Sequence, residues 1–266
     1  MKSTVFLGAG RITRALVAGL RLAQYERPIV VYDRNPKKSR LLRREFHVAV
    51  APDLKSAVEQ AETLIVAVRP ASVSGLLGEV AACGASRRPK LWVSLAAGVP
   101  LGKLRAQIGP PARWVRAMPS PVCRIGRGLT ALCFARGVGN AEHVRVRGLF
   151  QRVGQLLEIP ERQFDAFTTT YSSSHGYHAL QTLAEAAQRA GLDRATALTA
   201  AAHALSAGIL YWKESGQSVA RLLHEAATPG GIAAATMSGM DKSGYARVVA
   251  NGLKAGIAQA RRNARR

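Results

Sequence analysis

The chain has 266 residues and carries 38 Lys and Arg against 16 Asp and Glu, a formal charge of +22. A hydrophobic share of 48% and a charged share of 20% belong to a globular protein and exclude a disordered one. No apolar run approaches the ~20 residues of a membrane helix, and Met1-Lys2-Ser3-Thr4 leads into a glycine-rich turn rather than a signal peptide, so no membrane partner is expected.

Three cysteines, Cys83, Cys123 and Cys133, are too few and too scattered for a disulfide framework or a zinc site. They suit a reduced, cytoplasmic protein without a metal. The positive charge attracts anions, yet Arg and Lys are spread along the whole chain instead of gathering on one face or tail. With only 6% aromatic residues, a base-stacking platform is not expected. The surplus therefore reads as a solvated basic surface, with no nucleic-acid partner. The Arg261-Arg262-Arg265-Arg266 cluster suits the end of a last helix, where cations oppose the helix dipole.

In chain order, Thr4-Val5-Phe6-Leu7 predicts a buried strand, and Ile12 to Leu22 a helix. Ile29-Val30-Val31-Tyr32 is a second strand, followed by a helix over Lys37 to Glu45. Thr63 to Val68 and Leu91 to Leu95 are further strands, with helical spacing from Val73 to Ala81 between them. Their apolar runs lack polar alternation, which suits a sheet covered on both faces. Strands alternating with helices predict a doubly wound parallel sheet of the Rossmann type. Trp114-Val115, Leu129 to Phe134 and Leu156 to Ile159 could extend it. After Pro160 strand signals stop and Ala-rich helices follow: Ala179 to Ala190, Ala195 to Trp212, Val219 to Ala227 and Tyr245 to Arg262. The fold class expected is α/β: a Rossmann domain over 1–160, then an all-helical dimerisation and substrate domain over 161–266.

Gly8-Ala9-Gly10-Arg11-Ile12-Thr13 follows the first strand and opens the first helix, the context a dinucleotide turn requires. Gly8 allows the tight turn, and Gly10 lets the backbone approach a pyrophosphate at the helix N-terminus. Thr13 stands where a third Gly or Ala is usual. After the second strand come Asp33-Arg34-Asn35 and Lys37. An acid there favours the ribose hydroxyls of NAD(H), whereas Arg accommodates the 2′-phosphate of NADP(H). Arg34, Asn35 and Lys37 favour NADP(H), with NAD(H) the alternative.

Several motifs in order make the chain similar to the pyrroline-5-carboxylate reductase family over nearly its whole length. They are Phe6-Leu7-Gly8-Ala9-Gly10, Val68-Arg69-Pro70, Ser94-Leu95-Ala96-Ala97-Gly98-Val99, Arg116-Ala117-Met118-Pro119-Ser120 and Thr228-Pro229-Gly230-Gly231. The resemblance implies a Rossmann domain and a helical dimerisation domain, with the active site between them and completed by a second subunit. It also implies hydride transfer from NAD(P)H to the C=N carbon of a cyclic imine, giving proline. It places Val68, Pro70 and Ala97 on the nicotinamide side. It places Thr228, Gly230 and Gly231 at the substrate carboxylate, where backbone amides could form an anion nest.

The chain departs from the family in the substrate pocket. Ser120 replaces an Asn near the nicotinamide. Ala233 replaces a Thr that contacts the substrate nitrogen, and Ser172-Ser173-Ser174-His175-Gly176, ahead of Tyr177, replaces Gly-Ser-Gly-Pro-Ala. His175 or Tyr177 could supply the missing polar contact or a proton, with Ser173 beside them. Otherwise His175 caps a helix beginning near Gly176, with one of the serines as its N-cap.

The leading expectation is an NAD(P)H-dependent reductase, a homodimer or higher homo-oligomer, acting on a small cyclic imine carboxylate such as pyrroline-5-carboxylate. The alternatives are a reductase of a different imine or keto acid in a specialised pathway, and a non-catalytic NADP-binding dimer.

Overall fold

A computed structural model describes residues 3–84 and 88–265. They form two compact units, one within 3–171 together with 256–265 and the other 172–255. Arg266, the last member of the C-terminal basic cluster, and Arg87, which with Arg88 forms another basic pair, lie outside the described residues.

The first unit is built on an eight-stranded sheet. Its strands are β1 (Ser3–Leu7), β2 (Ile29–Tyr32), β3 (Ala49–Val50), β4 (Ala61–Val66), β5 (Leu91–Ser94), β6 (Arg113–Met118), β7 (Gly128–Phe134) and β8 (Gly154–Glu158), ordered β3-β2-β1-β4-β5-β6-β7-β8. The chain order reverses between β1 and β4, the switch point at which open α/β sheets bind ligands. The helices of this unit are α1 (Arg11–Leu22), α2 (Pro36–Phe46), α3 (Leu54–Glu59), α4 (Pro70–Ala82), α5 (Leu101–Gln107), α6 (Asn140–Gln151) and α7 (Phe164–Thr170).

Uninterrupted apolar strands feed two cores because successive side chains point to opposite faces. Val5, Leu7, Leu64, Val66, Trp92 and Trp114 pack beneath α3, α4 and α5. Phe6, Val31, Ile65, Val93 and Val115 pack beneath α1, α2 and α6. The sheet is parallel except where β6 pairs antiparallel with β7. Only the short connection 119–127, holding a 3-10 turn at Pro121–Ile125, joins that pair. It is too short for the crossover a parallel pair needs.

The second unit holds α8 (Ser173–Arg189), α9 (Arg194–Ser215), α10 (Val219–Ala226), α11 (Ile232–Lys242) and the start of α12 (Tyr245–Arg265). Gly191, at φ +109°, ends α8. Asp193 then caps α9 by accepting from the amides of Ala195 (2.9 Å) and Thr196 (3.1 Å). Most of the exposed large apolar side chains lie here, including Ile209, Leu210, Tyr211, Trp212 and Val249.

One sequence expectation needs correction, and several helices were not expected. The helix expected from near Gly176 starts at Ser173, with Ser172 at the N-cap position and without a side-chain cap bond. His175 therefore lies inside its first turn and does not cap it. Helices α3, α5, α6, α7 and α11 were not among those expected; IAAATMSGMDK of α11 shows little contrast between its faces.

Candidate active site

The cofactor candidates of the first unit gather at the C-terminal ends of β1, β2, β4 and β5. Gly8 has φ +111°, and a Cβ there would stand 2.8 Å from the Ala67 carbonyl oxygen and 3.1 Å from Val68 Cγ1. Only glycine lets the turn after β1 lie against the turn after β4. Thr13 is fully buried and donates its hydroxyl to the Gly8 carbonyl at 2.7 Å. The residue that weakens the sequence match thus ties the turn to the helix.

Gly10 is the N-cap of α1 and brings no side-chain cap, and no acidic residue follows in the first turn. A Cβ at Gly10 would meet nothing within 4 Å. The positive end of α1 is thus uncapped and sterically open, with Arg11 and Ile12 as its first residues. These features fit a dinucleotide pyrophosphate.

Asp33, weighed from sequence as a ribose ligand, braces the turn. Its Oδ2 accepts from the Ala9 amide and its Oδ1 from the Asn35 amide, both at 2.8 Å. Asn35 is likewise engaged, capping α2 by accepting from the Lys37 amide at 3.0 Å. Arg34 is exposed and paired with Glu79 on α4. Such a solvated pair is worth at most about 1 kcal/mol, so a phosphate can compete with Glu79 for the guanidinium. Pro70 occupies the first turn of α4 behind Val68 and Arg69. Ala97 precedes Gly98, whose φ is +75° and where a Cβ would stand 2.4 Å from the Ala260 carbonyl oxygen. The end of α12 thereby presses on the loop after β5.

Two networks at the end of β6 join the motif residues Arg116 and Ser120 to partners that the sequence did not single out. Arg116 is buried, with Nη1 3.1 Å from Glu161, Nη2 3.4 Å from Asp165 and its guanidinium 4.3 Å from the centre of the Phe164 ring. It fastens the sheet to α7 and the turn before it. Ser120 is buried, and its Oγ lies 3.1 Å from the Tyr171 hydroxyl. Below it, burial pushes the Cys123 thiol up to about 11 from 9.0, so this cysteine is inert at neutral pH.

The remaining candidates belong to the second unit. Thr228-Pro229-Gly230-Gly231 is a tight turn closed by the Gly231 amide donating to the Thr228 carbonyl at 2.9 Å. Pro at the second place and Gly230 at φ +77° in the third suit a type II turn. A Cβ on Gly231 would stand 2.6 Å from Thr228 Oγ1, so glycine keeps that hydroxyl beside the N-terminus of α11. Gly231, the N-cap of α11, brings no side-chain cap. Ser173, His175 and Tyr177 occupy the first two turns of α8, His175 and Tyr177 exposed. Ser173 and Tyr177, four apart, share a face, whereas His175 points away from both. One pocket cannot use His175 and Tyr177 from the same helix face.

Among the described residues no cluster of three or more His, Cys, Asp or Glu could hold a metal. No helix there is long and apolar enough to cross a membrane.

The strand order, the glycine turn and the open end of α1 define a dinucleotide-binding unit joined to a helical one. Residues 3–98 match the family model of NADP oxidoreductase, coenzyme F420-dependent, and residues 161–263 that of pyrroline-5-carboxylate reductase dimerisation. The pyrroline-5-carboxylate reductase of Mycobacterium leprae is 31% identical, over 94% of this chain and 92% of that protein. That of Thermus thermophilus is 34% identical over 85% of each. The chain belongs to the pyrroline-5-carboxylate reductase family. Its fold matches the Plasmodium falciparum pyrroline carboxylate reductase crystallised with NADP bound at a TM-score of 0.87 and 22% identity, covering 99% of this chain and 98% of that one. It matches the Streptococcus pyogenes 1-pyrroline-5-carboxylate reductase at 0.88 and 23%, covering 97% and 98%.

Proposed function

We propose that this protein is an NADP(H)-dependent reductase that converts pyrroline-5-carboxylate to proline as a homo-oligomer. The observation that carries the reading is the pairing of the open glycine turn at α1 with family membership over most of the chain. When bound, the dinucleotide supplies the hydride, which adds to the C=N carbon while the ring nitrogen keeps its proton as an amine.

The residues have the following roles. Gly8, Gly10, Arg11 and Ile12 hold the pyrophosphate. Arg34, flanked by Asn35 and Lys37, meets the 2′-phosphate. Val68, Pro70 and Ala97 flank the nicotinamide. Thr228, Gly230 and Gly231 hold the substrate carboxylate at the start of α11. The protein's contribution is mainly position: it fixes the imine carbon against the hydride donor and keeps both from tumbling.

Ala233 favours a second reading. A methyl group makes no hydrogen bond to a ring nitrogen, so a larger cyclic imine or a keto acid could be the better substrate. Ser173 and Tyr177, or His175 from the other face of α8, would then supply the polar contact or proton. NADPH oxidation across a panel of five- and six-membered imine carboxylates and keto acids tests both. The first reading predicts the highest kcat/KM on pyrroline-5-carboxylate. Preference for a six-membered imine or a keto acid supports the second, and no turnover on any member contradicts both.

A further inference from the structure

Ser120 and Tyr171 form a closed hydrogen-bond account with one proton left over. The Tyr171 oxygen accepts from the Leu129 amide of β7 at 2.5 Å. The Ser120 oxygen accepts from the Val122 amide at 3.3 Å. The hydroxyls meet at 3.1 Å, so one of their two protons lies between them. A serine oxygen accepts two hydrogen bonds with its lone pairs, whereas a phenol oxygen has one pair drawn into its ring. The arrangement that satisfies both has Tyr171 donating to Ser120. Both acceptor sites of Ser120 are then filled and its own O–H remains. Among the described residues neither oxygen makes a hydrogen bond to a further acceptor. Ser120 is 4% exposed, where an unused donor costs stability.

Ser120 follows β6, on the β4-β5-β6 side of the switch point, and Arg34 follows β2 on the other side. A dinucleotide whose pyrophosphate rests at Gly10 and whose 2′-phosphate meets Arg34 carries its nicotinamide on the β4-β5-β6 side. The acceptor for Ser120 belongs to that half of the site. A protonated pyrroline nitrogen has no lone pair to offer, and Ser120 has no free lone pair to receive its proton. The carboxamide oxygen of the nicotinamide is the matching acceptor.

We infer that Tyr171 is a positioning residue: it fills the acceptor side of Ser120 so that Ser120 donates to the nicotinamide carboxamide and fixes the ring's rotation. This rests on the NADP(H) reading above. Calorimetric titration with NADPH and with its thionicotinamide analogue, whose sulfur is a poor acceptor, tests it without turnover.

The wild-type protein is expected to bind NADPH about fivefold more tightly than the analogue, the worth of one net hydrogen bond. Ser120→Ala should abolish that ratio, Tyr171→Phe should reduce it to about twofold, and Ser120→Thr should keep it. Thermal melts check that each variant is folded. An unchanged ratio in Ser120→Ala or in Tyr171→Phe overturns the inference, as does a wild-type ratio near one. Tight NADPH binding with the expected ratios but no imine reduction would sink the proposed reaction and leave this assignment standing. No NADPH binding would overturn both.

Discussion

Thr13 and Asp33 show how single side chains hold the cofactor turn. Thr13 clamps Gly8 from inside the helix, and Asp33 clamps Ala9 from the next strand. Thr13→Val keeps the volume and removes the clamp. It is expected to cost about 1–2 kcal/mol in urea denaturation and to raise KM for NADPH. Arg34 and Glu79 give a test with two signs. Arg34→Ala should weaken NADPH about tenfold and leave NADH unchanged, because only NADPH carries the 2′-phosphate. Glu79→Gln should lower KM for NADPH alone, and movement of both cofactors together in steady-state kinetics would contradict the assignment.

Cys123 makes a pH prediction. Burial raises its thiol to about 11 from 9.0, so folding favours the neutral form. Its contribution to stability is complete below about pH 9 and is lost as pH rises through 11. Denaturation midpoints should fall over that window, and Cys123→Ala should flatten the fall.

At the scale of elements, the first half was largely legible. Val5-Phe6-Leu7 and Leu64-Ile65-Val66 are apolar on both faces because helices cover both, and Gly8 announces the turn that joins β1 to α1. Four features were not legible. The antiparallel β7 follows from the length of the 119–127 connection, which periodicity does not report. The bounds of α8 were missed because Ser172, Ser173 and Ser174 read equally as cap or helix. The bracing role of Asp33 depends on strand neighbours, and the Tyr171 bond to Ser120 spans a separation that leaves no pattern in the sequence.

The end of α12 is an element with a position of its own. Its Ala260 carbonyl meets Gly98, and the Ala264 carbonyl accepts from Lys103 Nζ at 3.2 Å. Gly98→Ala combines a strained φ with a backbone clash. It should lower stability by at least about 1 kcal/mol and displace the end of α12, seen as faster hydrogen exchange over 256–265. Unchanged exchange there would contradict this packing.

At the scale of the whole molecule, one surface asks for a partner. The helical unit exposes Ile209, Leu210, Tyr211 and Trp212 in one stretch of α9. A helix apolar all round is one that becomes buried, which supports assembly of like chains. Light scattering should give a mass at least twice the 28.3 kDa of one chain. Ile209→Asp should shift it toward one chain and lower activity with it.

The charge of +22 has a narrower meaning. Arg34, paired with Glu79, is the residue proposed for the cofactor 2′-phosphate, and Arg116 pairs within the first unit with Glu161 and Asp165. Much of the rest is solvated.

The central claim, that this chain reduces pyrroline-5-carboxylate with NADPH, is tested most directly by following NADPH oxidation as that imine is added to the purified oligomer. The account predicts saturable turnover that yields proline and that Gly10→Glu abolishes by filling the open end of α1. Intact NADPH binding with no proline formed would contradict it.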